Sequence, residues 1–276
     1  MKMKWFASPA LVGVLFVPAI AHAQFADGVV AYTEGSGVLA GYNDPTAALG
    51  APSQVTPGTY GGPVDPFDAP YLPSQIVGLG TGGGSITLQL DTPIVSDPSH
   101  PFGLDFIIFG HAGFNIINGD YSGGGITDGS LYTGGTGDVR VSVSADGHTF
   151  YSLNPSLAPQ ADGLFPTDGS GNPLLPVNPA LTASDFSGLG LSGIRALYAG
   201  SAGGAGFSLA WAIDSNGNSV SLASVDYVKL DVQDDGTPVY IDAISVVPEP
   251  ATWTLAIAGA SLLLLHRRVK EQPAKK

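Results

Sequence analysis

The sequence predicts an all-β protein: an antiparallel β-sandwich of the jelly-roll kind over residues 24–247, with a signal peptide before it and a short transmembrane helix after it. Three observations predict this. Between the two ends, short apolar runs alternate with period two and close on Gly, Asp, Asn or Pro. No segment there sustains a 3.6-residue apolar period, and the two uninterrupted apolar runs lie at the chain ends. No period of roughly 20 to 50 residues recurs, which argues against propellers and solenoids. Hydrophobic residues make up 44% of the 276, enough for a core despite 39 glycines and 22 prolines.

At the N-terminus, Lys2 and Lys4 precede an apolar run from Trp5 to Ile20. Ala21 and Ala23 put small residues at the two positions a signal peptidase reads, so cleavage is expected before Gln24. The first clear strand is SITLQL, where Ile86, Leu88 and Leu90 share one face and Thr87 and Gln89 the other. GLGTGG, just before it, has dinucleotide-loop spacing, but a strand follows it where that site needs a helix N-terminus, so it is read as a flexible strand entry. LDFIIF is a more continuous run suited to a central strand. VRVSVS, with Val139, Val141 and Val143 inward, turns through ADG into HTFYSL as a hairpin. FSLAWAI, a DSNGN turn, SVSLASV and DYVKLDV give further strands, and VYIDAISVV closes the domain. Two insertions, TPGTYGGPVDPFDAPYLPS and NPSLAPQADGLFPTDGSGNPLLPVNPAL, read as long loops pinned by proline.

The formal net charge is −13, and the cations between residues 24 and 247 are Arg140, Arg195 and Lys229 alone. Such a surface repels phosphate backbones, which excludes a nucleic-acid partner, and it suits divalent cations or neutral glycans. The chain has no cysteine, hence no disulfide framework, lipid-acylated cysteine or thiol nucleophile. No GxSxG elbow frames a serine. Once both ends are removed His100, His111 and His148 remain; His148 is expected exposed in a turn, and His111 at a strand end beside a site. A glycosidase needs only two well-placed carboxylates, and the many aspartates keep that alternative open.

Alternation sorts the aspartates. Asp231 shares a face with Lys229 and Gln233 and is expected to be solvated. Asp242 shares a face with Tyr240, Ile244 and Val246, and Asp105 with Ile107 and Phe109, so each needs a partner: backbone amides, an arginine such as Arg195, or a cation. With no cysteine and few histidines, the cation would be a structural Ca²⁺ held by Asp242, Asp105 and Asp44. The DSNGNS loop departs from a calcium loop at Ser219 and Val225, and is read as a plain turn. For glycans, the candidate aromatic platforms are Tyr60 and Tyr71, with Phe67, in the first insertion, and Tyr121 and Tyr132 around a Gly-rich stretch.

The tail reads VPEPATWTLAIAGASLLLLHRRVK. Its apolar part would span about 22 Å as a helix, short for a hydrocarbon core of about 30 Å. Arg267 and Arg268 after it favour the cytoplasmic side, leaving the domain outside. This arrangement resembles the PEP-CTERM sorting signal of Gram-negative bacteria, with Pro248, Glu249 and Pro250 as the triplet, Trp253 to Leu265 as the membrane segment and Arg267 and Arg268 as the basic cluster. The resemblance implies a substrate of an exosortase, a membrane-embedded cysteine peptidase, inserted transiently in the inner membrane and cut near the triplet. NDPTAALGAPS, GGGSITLQLDTPI, DVRVSVSADGHTF, WAIDSNGNSVSLASVDYVKL and VYIDAISV are together similar to secreted bacterial proteins that carry this tail on a galactose-binding-like or carbohydrate-module-like sandwich. The expectation is an exported, non-enzymatic surface or matrix protein, structural or glycan-binding in an extracellular polysaccharide; the alternative is a secreted carbohydrate-active hydrolase.

Overall fold

Period-two alternation becomes two antiparallel sheets in the computed structural model, which describes residues 24–59, 61–134, 137–233 and 237–249. The signal peptide with Ala21 and Ala23, Tyr60, and the tail from Pro250 on, including Arg267 and Arg268, lie outside the described residues. In chain order the strands are β1 (Gly28–Thr33), β2 (Val77–Leu79), β3 (Ser85–Val95), β4 (Phe106–Gly110), β5 (Gly113–Phe114), β6 (Leu131–Thr133), β7 (Val139–Ser144), β8 (Tyr151–Leu153), β9 (Ala205–Phe207), β10 (Ala212–Ile213), β11 (Ser224–Val232) and β12 (Val239–Val246). One sheet runs β1-β3-β11-β7-β8-β10, a second β2-β12-β4-β9, and β5 and β6 form a separate two-stranded ribbon.

The first two sheets share one core. Ile86, Leu88 and Leu90 of β3, Val141 and Val143 of β7, and Val228 and Leu230 of β11 belong to the same buried cluster as Phe106 and Ile108 of β4 and Ile244 and Val246 of β12. The register places Val228 opposite Val143 and Leu88, and Leu230 opposite Val141 and Ile86, so apolar side chains meet on one face across three strands. The expected hairpin forms, with Val143 opposite Tyr151. LDFIIF is central, with β4 between β12 and β9.

β4 and β12 are buried on both faces. The residues pointing away from the shared core, Ile107, Phe109 and Ala243, pack with Ala202 and Val247. Ala202 comes from the chain between β8 and β9, a segment in which the sequence reading placed no helix. The proline-rich insertion leads into two short helices, α1 (Ala183–Phe186) and α2 (Leu191–Tyr198). Phe186, Ile194 and Tyr198 from them close on Phe114 of β5 and Val177 as a second small core. Thr182 and Asp185 form a capping box at the start of α1. Two strand assignments also change: FSLAWAI is interrupted by a 3₁₀ turn at Leu209–Trp211, and most of SVSLASV is a connector, β11 beginning only at Ser224.

The GLGTGG stretch crosses from one sheet to the other. A Cβ on Gly84 would lie 2.1 Å from the Gly80 carbonyl oxygen, and one on Gly80 2.3 Å from that of Ser36, so the crossing depends on bare backbone. The first described residues pair with β12: Ala26 N–H donates to Ile244 O, Val246 N–H to Gln24 O, and Phe25 bridges Ser245. Among the described residues no helix is long and apolar enough to cross a membrane.

Candidate functional site

Four aspartates are buried, and each has its own partners. Asp242, on β12, accepts from Ser53 N–H at 2.8 Å and Ser53 Oγ–H at 2.9 Å. Burial pushes its carboxyl up to about 7, against the opposing effect of the two Ser53 bonds. Asp105, just before β4, is bonded to His100 Nδ1 at 2.8 Å and accepts from Leu209 N–H at 2.7 Å and Asp97 N–H at 3.2 Å. Asp168 meets Arg195 in a two-point fork, Nε at 2.6 Å and Nη2 at 3.0 Å, and accepts from Ser170 Oγ–H at 2.7 Å. Burial pushes the Asp168 carboxyl up, but the bonds from Arg195 and Ser170 outweigh it and leave the group below the ordinary carboxylate value. Asp162 bonds His111 and accepts from Ala112 N–H at 2.7 Å.

The candidate calcium ligands are therefore not brought together. Asp44 is exposed and caps a 3₁₀ turn, accepting from Thr46 N–H at 2.9 Å and Thr46 Oγ1–H at 2.7 Å, which hold its carboxyl low. Asp105 and Asp242 are each satisfied by protein donors. Among the described residues no three His, Cys, Asp or Glu gather as a cation site. Arg195, read as a partner for Asp105 or Asp242, serves Asp168 instead. The turn at Asp214 is held by Asn216 and Asn218 N–H on its own carboxylate. As expected, Asp231 lies at the surface, paired with Lys229 at 2.7 Å, and His148 is exposed.

The aromatic candidates divide. Tyr121, at the tip of a loop, is 80% exposed. The Tyr132 hydroxyl accepts from Ala69 N–H at 3.1 Å, two residues before Tyr71, whose carbonyl accepts from the Tyr42 hydroxyl at 2.5 Å. Tyr132 remains 51% exposed with its ring over Gly113, and is half platform, half packing.

A cleft that the sequence reading did not foresee lies elsewhere, on β7, β8 and β10. It encloses about 760 Å³. Phe150 and Ile213 supply apolar surface, with Pro155 and Pro159 from the following loop, while Val139, Val141 and Leu153 close it from the buried core behind. Arg140, Gln233, Gln160, Asp138, Asp214 and Ser152 supply donors and acceptors around it. Arg140 Nη2 donates to Gln233 Oε1 at 2.8 Å along the exposed wall. An apolar base with a few oriented amides, a guanidinium and carboxylates fits a neutral polyhydroxylated ligand, whose ring faces pack on carbon and whose hydroxyls need both donors and acceptors. Its volume lies within the range of roughly 300–1,000 Å³ usual for ligand sites. The outward positions of VRVSVS were the sequence signal: Arg140 interrupts an otherwise small or apolar strand.

No protein-family model matches this chain, and no curated protein sequence matches it.

Proposed function

We propose that this is an exported protein with a jelly-roll, galactose-binding-like sandwich, sorted through a PEP-CTERM tail and delivered to the cell surface or extracellular polysaccharide matrix, where its cleft binds glycan. Signal peptidase would cut before Gln24, and an exosortase would act at Pro248, Glu249 and Pro250 while the apolar tail holds the chain in the inner membrane. Two features support the export half. Pro248 and Glu249 are exposed directly after the buried Val247, and the pairings of Phe25 and Ala26 survive in a chain that begins at Gln24. The cleft on β7, β8 and β10 is the observation that carries the binding half.

The test is retention of the exported protein on immobilised neutral polysaccharides, read together with a search for released sugar. Retention without product release, lost in Phe150→Ala and Arg140→Ala while melting is unchanged, is the expected result. Release of reducing ends would favour the hydrolase alternative. Wild-type protein that binds no glycan would overturn the binding half. The export half is checked separately by intact mass: a secreted form extending to Lys276 would count against tail processing.

A further inference from the structure

One side-chain relay has no part in the cleft. His111 follows β4 and is bonded through both ring nitrogens, Nδ1 to Asp162 Oδ2 and Nε2 to Thr133 Oγ1. The Asp162 side chain is only 3% exposed, and its second oxygen accepts from Ala112 N–H at 2.7 Å, so the carboxylate is fixed. The imidazole retains 17% exposure and packs against the Tyr240 ring, with centroids 4.7 Å apart. A carboxylate on Nδ1 keeps the proton of the neutral ring on that nitrogen. Nε2 is then an acceptor, and the Thr133 hydroxyl is the group that donates to it. This is the connectivity of a hydroxyl nucleophile, a base and an orienting acid.

The backbone adds a further element. Thr133 ends β6, paired with Gly113 of β5. Gly134, directly after it, has φ +73°, and its N–H meets no acceptor among the described residues. The N–H following a nucleophile is a common oxyanion donor in acyl transfer.

We propose that Thr133, His111 and Asp162 form a second site that hydrolyses small acyl esters. Thr133 Oγ1 forms a bond to the ester carbonyl carbon as its proton passes to His111 Nε2. The acyl–oxygen bond then breaks, and that proton goes to the leaving alcohol. Water repeats the sequence, releasing the carboxylic acid and restoring the threonine. Thr133 and His111 are the catalytic residues; Asp162 is a positioning residue. With the imidazole only 17% exposed and packed on the Tyr240 ring, the substrates assigned to this site are esters of short acyl groups such as acetyl. This activity is independent of glycan binding in the cleft.

The experiment uses the exported protein with p-nitrophenyl acetate as substrate and a fluorophosphonate as covalent probe. Expected are hydrolysis above the solution background, probe mapped by peptide mass to residue 133, and a fall of about 100-fold or more in Thr133→Val and His111→Ala. Thr133→Ser retains labelling and turnover even if the valine variant folds poorly. Asp162→Asn displaces the pH–rate profile, which a purely structural role would leave in place. Wild-type protein no faster than background, or labelled at another residue, overturns the proposal whatever the outcome of the polysaccharide test.

Discussion

Replacing Asp242 by Asn is expected to remove a pH dependence that this one carboxyl imposes on the whole fold. Burial pushes the group from 3.8 to about 7. Between those values the folded state holds a proton that the unfolded chain has released, so stability is greatest below pH 3.8 and declines as the pH rises through about 7. The slope is about 1.4 kcal/mol per pH unit, and over about three units the loss amounts to about 4 kcal/mol. Asn keeps the geometry: its oxygen accepts from Ser53 N–H and its amide donates to Ser53 Oγ, with no charge to desolvate. The assay is urea unfolding of both proteins at several pH values between 4 and 8.5. Taking the difference between them cancels other titrating groups, such as Asp168, whose lowered pKa gives stability that is lost as the medium turns acidic. The two proteins should be similar near pH 4, and the variant more stable by about 4 kcal/mol above pH 7. A difference that stays constant across the range would refute the reasoning, since Asp242 would then be ionised throughout.

Chelation of divalent cations should leave the thermal midpoint unchanged, because Asp44, Asp105 and Asp242 are each occupied by protein donors; a clear fall measured by calorimetry would restore a calcium site. Arg195→Ala should cost about 2 kcal/mol in denaturant melts, less than a fully buried pair would because the arginine is partly exposed, and Arg195→Lys should recover only part of it by losing the fork. Gly84→Ala should cost about 3 kcal/mol or abolish folding, since its Cβ has no room beside the Gly80 carbonyl, as the yield of soluble protein and its circular dichroism would show.

Strands that face the core on one side only were legible in the sequence. In β3, β7 and β11 the alternation of Ile, Leu or Val with polar residues marks the inner face directly, and the core contains those residues. β4 and β12 were legible as strands but not as a double interface, because a run such as FIIFG does not say what covers its second face. The missing cover includes Ala202 and the loop at Pro173, which accepts from Ser245 of β12, while α1 and α2 close on Phe114 of β5 beside it. α2 spans eight residues and includes Gly193, too short for a helical period to stand out. The candidate sites follow the same division. That Asp105 and Asp242 need partners could be inferred from their apolar faces. That Ser53 is the partner of Asp242 could not, because it lies 189 residues away and only packing brings them together, and His100, five residues before Asp105, carries no pattern that marks it as buried. Asp162 and Asp168 precede glycines and read as ordinary turn residues; their burial comes from partners distant in sequence, His111 and Ala112 for the one and Arg195 for the other. The cleft likewise depends on the placement of Pro155–Gln160 beside β7, which no local pattern announces.

On the proposed route of maturation, the bridge between Phe25 and Ser245 would set where both cuts fall. Gln24, where the leader would be severed, and Pro248, where the tail would be, both lie within a few residues of that bridge. Two different peptidases would thus work on one corner of the same folded body, and the finished molecule would carry its fresh amino and carboxyl ends side by side. Until the second cut, everything the protein grips would be moored to the envelope through that corner, and pulling on the tail would first load the clasp that holds the amino-terminal segment against β12.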